Sequence, residues 1–265
     1  MTNHLSKFDL SGKVAIVTGG GTGIGHGIAL GLASCGATIA IAGRRRDKVD
    51  AAAADIVQQG GKAIARICDV ADLNSVVDLI AGVAGELGGI DIVVNSAGVN
   101  ARVPGPEEIT PECWDLILAT NLTGTHYVST TVLPEFKKRG RGKIINISSM
   151  MGIFGGKTIA AYAASKGGVE QYTKSCAIAW AAHNVQVNCI EPGWIETDMT
   201  RASRSDPSKS GHIIDRTPAA RYGLPDDLAW PAVFLASAAS DFITGISLPV
   251  DGGFAIQGTA RSVDI

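Results

Sequence analysis

Seven short apolar runs, mostly β-branched, recur along the chain: 13–18 (KVAIVT), 38–42 (TIAIA), 63–68 (AIARIC), 90–95 (IDIVVN), 143–147 (KIINI), 185–190 (VQVNCI) and 246–250 (ISLPV). Most end in Gly, Asn, Asp or Ser, the punctuation expected where a strand stops. Between them lie stretches with apolar residues at three- and four-residue spacings, which predict helices over 26–33, 46–59, 73–87, 111–130, 159–182 and 225–237. Thr110 and Pro111 suit the N-cap and first position of the fourth of these. Strand–helix alternation throughout predicts an α/β fold, a parallel sheet joined by right-handed crossovers and covered on both faces. Pro249 marks the last run as an edge strand or a late strand end. Residues 194–223 lack strong periodicity, and a loop that long in a compact domain is usually a lid or binding loop. With no repeat and no break in composition, residues 1–265 read as one domain.

Charge narrows the functions. The chain has 23 Lys+Arg against 25 Asp+Glu, a net charge of −2, which offers no basic footprint for nucleic acid or an anionic membrane surface. No stretch is apolar for long enough to span a bilayer, and the N-terminus lacks the apolar core of a secretory signal. Cys35, Cys68, Cys113, Cys176 and Cys189 are odd in number and scattered, so neither a disulfide framework nor a zinc site is expected, and a reducing, cytoplasmic location fits. No His/Cys/carboxylate cluster suggests a metal.

The glycines carry the first chemistry. The first strand runs into Thr18-Gly19-Gly20-Gly21-Thr22-Gly23-Ile24-Gly25 and then a helix. Glycines there let the backbone approach a pyrophosphate, and the helix N-terminus presents free N–H groups to it. The same turn would also serve a purely structural purpose. The second strand ends in Gly43-Arg44-Arg45-Arg46. An acidic residue at that point would bind ribose hydroxyls, whereas arginine accommodates a 2′-phosphate, so NADP(H) is favoured over NAD(H). Asp69, after the third strand, is placed either to accept from an adenine amino group, with Val70 offering its N–H, or to start a helix.

Tyr162 and Lys166 are i and i+4 on the long helix and share a face. An ammonium at about 4 Å attracts a phenolate by about 4 kcal/mol at an effective dielectric of about 20, which would lower the phenol toward the range useful for acid–base catalysis. Such a pair is more often a simple surface contact. Ser149, thirteen residues before Tyr162 and just past the fifth strand, is placed to donate to a carbonyl oxygen; Ser148 competes for that role.

Taken in order, Thr18-Gly19-x-x-x-Gly23-x-Gly25, Asp69, Asn95-Ser96-Ala97-Gly98, Asn121, Ser149, Tyr162-x-x-x-Lys166 and Pro192-Gly193-x-x-x-Thr197 resemble the short-chain dehydrogenase/reductase family over essentially the whole chain. The resemblance implies a Rossmann-type, doubly wound, seven-stranded parallel sheet in the order 3-2-1-4-5-6-7. It implies Tyr162 as general acid or base, Lys166 as its modulator and ribose ligand, Ser149 as carbonyl donor, and Asn121 as holder of a water linked to Lys166. It puts Asn95, Ala97 and Gly98 beside the cofactor, with Pro192, Gly193, Ile195 and Thr197 flanking the nicotinamide. Ser96 departs from the family's usual second Asn. Homotetramers built through the fourth and fifth helices and the C-terminal region, here 251–265, are also implied.

Within the family, 95–102 (NSAGVNAR) and 216–223 (RTPAARYG) resemble gluconate 5-dehydrogenase-like sugar-acid reductases, the second in looser form also 3-oxoacyl carrier-protein reductases. Arg102 is a candidate carboxylate clamp because its guanidinium binds bidentately. Trp194 is a candidate pocket residue, whereas Trp114, Trp180 and Trp230 suit packing or an interface. Arg201, Arg204, Lys209, His212, Arg216 and Arg221, set against Glu196, Asp198, Asp206 and Asp215, make a slightly basic lid that favours a polar or anionic small-molecule substrate. The rivals are a 3-oxoacyl carrier-protein reductase and a non-catalytic dinucleotide-binding sensor; an intact Ser149/Tyr162/Lys166 set argues against the sensor.

Overall fold

A computed structural model of the chain describes residues 4–260. Five residues of the expected C-terminal interface segment, 261–265, lie outside the described residues. Seven parallel strands form one sheet in the order β3-β2-β1-β4-β5-β6-β7. They are β1 (Val14–Thr18), β2 (Thr38–Gly43), β3 (Lys62–Ile67), β4 (Ile92–Asn95), β5 (Gly142–Ile147), β6 (Val185–Pro192) and β7 (Ser247–Val250). Every residue of β1, β4 and β6 is buried, as a sheet covered on both faces requires. β7 is an edge strand, where Pro249 lies in register with Glu191 and its missing N–H matters least.

Helices α1 (Gly23–Ser34), α2 (Arg46–Gln58) and α9 (Pro225–Ala236) pack one face through Ile28, Leu32, Ile56 and Leu228. Helices α3 (Leu73–Leu87), α5 (Gly124–Arg139) and α6 (Ala160–Trp180) pack the other through Val76, Val83, Val132, Phe136 and Ala177. A fully buried aliphatic side chain such as Ile16 or Ile144 stabilises by about 2 kcal/mol, so the two cores hold the sheet rigid. Asp72 caps α3 by accepting from the Asn74 N–H, and Thr110 caps α4 (Pro111–Leu118) by accepting from that of Cys113.

Two expectations need correction. The single helix over 111–130 is three segments: α4, a π-helical turn over Ala119–Thr123, and α5, which carries through Pro134 to Arg139. The widened turn brings Asn121 inward, and an apolar period alone does not report such a bulge. The aperiodic stretch 194–223 holds α7 (Arg201–Arg204) and α8 (Pro207–Asp215), and its ends are joined by an Ile195–Gly223 bridge. Asp206 caps α8 from a position just before Pro207, a start signal that was readable.

All crossovers leave the carboxyl ends of the strands on one rim. There, between β1 and β4, the chain reverses direction across the sheet, which is where open α/β sheets form a ligand crevice.

Candidate active site

The crevice at that rim is a cleft of about 540 Å³. Gly19, Thr22, Gly23, Ile24, Gly25, Arg44, Asp69, Val70, Ala97, Gly98, Pro192, Gly193, Ile195 and Thr197 line it, as do Ser149, Tyr162 and Lys166. These residues come from seven separate stretches of sequence and were assembled by the topology alone.

One end is shaped by main chain. Thr18 Oγ1 donates to Val94 O at 3.3 Å and accepts from the N–H groups of Ser96 and Ala97, tying the tip of β1 to the segment after β4. Gly19 has φ +65°, and a Cβ there would lie 2.8 Å from the Ala97 backbone. A Cβ on Gly25 would lie 2.5 Å from Gly19 O. Thr22, at the N-cap of α1, makes no capping hydrogen bond; its hydroxyl instead accepts from Arg45 Nη2 at 3.4 Å. The first N–H groups of α1 therefore face the cleft without a side-chain cap, an anion-binding arrangement.

Arg44, Arg45 and Lys48 line the same end. Arg44 lies 3.9 Å from Asp69. Asp69 also accepts from the Ala71 N–H, while the capping of α3 falls to Asp72, so of its two readings the helix-start one is taken by its neighbour. Lys48 was missed. It lies one helical turn beyond Arg45, and that i, i+3 spacing at a helix start was the available signal.

The other end holds the chemistry. Ser149 sits where β5 gives way to a short turn, and its Oγ accepts from the Met151 N–H at 3.2 Å. It also hydrogen-bonds the Tyr162 phenol. Ser148, its competitor, also lines the cleft but is buried, and its hydroxyl is committed to Glu170 and the Lys166 carbonyl. Lys166 is buried, donates to Ile147 O at 2.7 Å, and places Nζ 5.7 Å from the centre of the Tyr162 ring.

The charge balance differs from the sequence argument. Burial raises the phenol of Tyr162 above its ordinary value, and this outweighs the opposing effects of the Ser149 hydrogen bond and the Arg102 charge. Burial also pulls the Lys166 ammonium down to about 8. The expected depression of the phenol by Lys166 is thus not found, because desolvation acts on both groups and the ammonium is directed at a backbone carbonyl.

Four expected site residues sit elsewhere. Asn95 does not line the cleft: it is buried, and its amide donates to Ser129 Oγ at 3.1 Å and Asn146 Oδ1 at 2.9 Å, behind the strand ends. Alternation at the end of β4 turns it toward the helices rather than the rim. Asn121 is also buried behind the cleft. Its amide nitrogen donates to Val99 O and Ser165 Oγ, and its oxygen accepts from the Val99 N–H, so the side chain braces the 95–99 segment against α6. Trp194 lines a separate cavity of about 220 Å³ with Thr217, Arg221, Asp227 and Asp251. Arg102 is exposed at the mouth, 3.5 Å from Thr158 Oγ1, close enough for its charge to act on Tyr162.

The basic lid is largely self-neutralised. Arg201 pairs with Asp198, Arg204 with Glu196 at 3.4 Å, Lys209 with Asp206 at 2.9 Å, and Arg221 with Asp227 at 2.6 Å. Among the described residues no helix is long and apolar enough to cross a membrane.

Known proteins share this sequence pattern and fold. A family model described as enoyl-(acyl carrier protein) reductase matches residues 19–255. The 2-dehydro-3-deoxy-D-gluconate 5-dehydrogenase of Dickeya dadantii is 40% identical over 251 residues, covering 94% of this chain and 98% of its own. The gluconate 5-dehydrogenase of Gluconobacter oxydans is 39% identical over 255 residues, covering 96% and 99%. A crystal structure of a gluconate 5-dehydrogenase from Burkholderia cenocepacia, in complex with NADP and tartrate, superposes with a TM-score of 0.91 at 40% identity, covering 95% of this chain and 98% of that one.

Proposed function

The chain belongs to the short-chain dehydrogenase/reductase family, and from that premise we propose that it is an NADP(H)-dependent oxidoreductase interconverting a carbonyl and a secondary alcohol on a sugar-acid-like substrate. The observation that carries this reading is a single cleft with two ends: uncapped helix N–H groups beside Arg44, Arg45 and Lys48 at one, and Ser149, Tyr162 and Lys166 at the other. The glycine cradle fits a dinucleotide pyrophosphate, since a Cβ at Gly19 or Gly25 would meet backbone. The three cations suit a 2′-phosphate better than free ribose hydroxyls. The NADP-bound relative supports the same choice.

When bound, the dinucleotide supplies or receives the hydride. In the reductive direction Ser149 donates a hydrogen bond to the carbonyl oxygen, and Tyr162 gives that oxygen its proton as negative charge develops. A phenol held above its ordinary value is fully protonated at neutral pH, which suits proton donation. In the oxidative direction the phenolate must form first, so oxidation is favoured at alkaline pH. Lys166, charged below about pH 8, is placed to donate to a ribose hydroxyl rather than to set the phenol. Asn121 holds the 95–99 wall in place. Arg102 clamps the substrate carboxylate at the mouth, and residues 194–223 close over it.

The carrier-protein substrate named in the description of the matching family model favours a second reading, a 3-oxoacyl carrier-protein reductase. A panel of keto-acids, ketoses and 3-oxoacyl thioesters, followed by loss of NADPH absorbance, separates the two. The first reading expects turnover of 5-keto sugar acids well above that of thioesters; the reverse order overturns it. The assembly is taken as a cytoplasmic homotetramer of single-domain subunits, supported by the exposed Ile178, Phe242 and Ile256. Sedimentation at monomer mass would remove that part.

A further inference from the structure

Behind the catalytic wall lie two carboxyls with no part in the steps above. Glu191, at the end of β6, is 2% exposed. Glu170 of α6 and Ser247 of β7 are its neighbours. Burial, with the neighbouring Glu170 charge second, pushes its carboxyl up to about 6.

Glu170 reaches the turn that presents Ser149 through a single oxygen that meets both Ser148 and Gly152. Its Oε1 accepts from Ser148 Oγ at 2.8 Å. The same hydroxyl lies 3.0 Å from the Lys166 carbonyl, so one proton faces two acceptors and the charge on Glu170 decides which it serves. The same Oε1 fills the space left by the missing side chain of Gly152, where a Cβ would meet it and, at 3.0 Å, Ser148 Oγ. Gly152 closes the turn by donating to Ser149 O at 2.8 Å. Lys166 lies one turn earlier on the same helix face as Glu170.

We propose that Glu170, partnered by Glu191, is a positioning residue for the reaction: it seats the Ser149 turn through Ser148 and Gly152 and provides the negative charge that buried Lys166 faces. The titratable groups around the pair are Lys166 from α6, Cys189 from β6 and Asp251 from the segment after β7. Of these, Lys166 is the one cation. Burial disfavours its charged form, and Cys189 and then Glu170 favour it.

The inference rests on Ser149 being the carbonyl donor, and the test separates the two. Glu170→Ala is expected to lower kcat by about tenfold to a hundredfold, the effect of a loosened catalytic geometry, with NADPH affinity measured by fluorescence unchanged. Glu170→Gln keeps the shape and the Ser148 contact but removes the charge. It should recover most of kcat while moving the alkaline limb of the kcat/KM profile to lower pH, because Lys166 loses its counter-charge. Gly152→Ala should lower kcat when Glu170 is present and not in the Glu170→Ala background.

Wild-type kcat in Glu170→Ala, an unshifted limb in Glu170→Gln, or additive losses in the Gly152 cycle overturns the assignment. If Glu170→Ala does not keep its melting temperature, the Glu170→Gln limb decides alone. A fully active Ser149→Ala removes the site reading itself; an inactive Ser149→Ala beside a fully active Glu170→Ala removes only this inference.

Discussion

The two ends of the cleft obey different rules. At the nucleotide end the shape is made by main chain: Thr18 ties β1 to the 94–97 segment, Gly19 turns with φ +65°, and the start of α1 is left uncapped. At the substrate end shape comes from side chains, and most lid charges have partners within the lid. Arg102 has no acidic partner within ion-pair distance among the described residues. The first end is therefore most sensitive to an added methyl group, the second to a removed charge.

Tyr162 stands at the substrate end, and the largest effect belongs there. Tyr162→Phe should lower kcat by about a hundredfold to ten-thousandfold, the usual range for a positioned general acid, while NADPH still binds by fluorescence titration. Near-normal turnover would break the account of both ends, since each serves that proton transfer.

Gly19→Ala comes next. Its Cβ would press on the Ala97 backbone in a conformation that costs about 1–2 kcal/mol for any L-residue, and NADPH affinity should drop by about tenfold or more. An unchanged dissociation constant would mean that the cradle is not tight.

Arg45→Ala should reduce the preference for NADPH over NADH by about tenfold, the loss of one charge-assisted contact, measured as the ratio of kcat/KM values. A ratio that does not move assigns the 2′-phosphate elsewhere. Arg102→Ala should raise KM for a keto-acid by about tenfold at most, and less in high salt because the side chain is exposed, without affecting a neutral ketone. Equal effects on both would remove the clamp. Lys209→Ala, which breaks an exposed lid pair with Asp206, should change every constant by less than about threefold. A larger change would show that the lid charges act on substrate after all, erasing the contrast drawn above.

Much of the nucleotide end was legible in the sequence because its information is local. Gly19, Gly23 and Gly25 follow a strand, Arg44 follows the next, and both stretches need only their neighbours to be read. Lys48 is also local, one turn past Arg45, and was missed because only the strand end was considered. Asn95 misled for the opposite reason. Its place in the motif puts it at the cleft, but one residue of strand alternation turns it into a buried amide network with Asn146. Trp194 follows Pro192-Gly193 closely, yet the turn carries it into a separate cavity.

The order of strands and helices, the glycine turn, and the spacing of Tyr162 and Lys166 were determined by the sequence, because periodicity, turn chemistry and helical pitch act over a few residues. Only the tertiary structure decided which serine hydroxyl is committed elsewhere, which charges remain to meet a substrate, and that burial lifts the phenol rather than the lysine lowering it. Desolvation and pairing depend on what surrounds a group in space, and that neighbourhood, like Glu170 beside Gly152 and Glu191, is assembled from segments the chain keeps far apart.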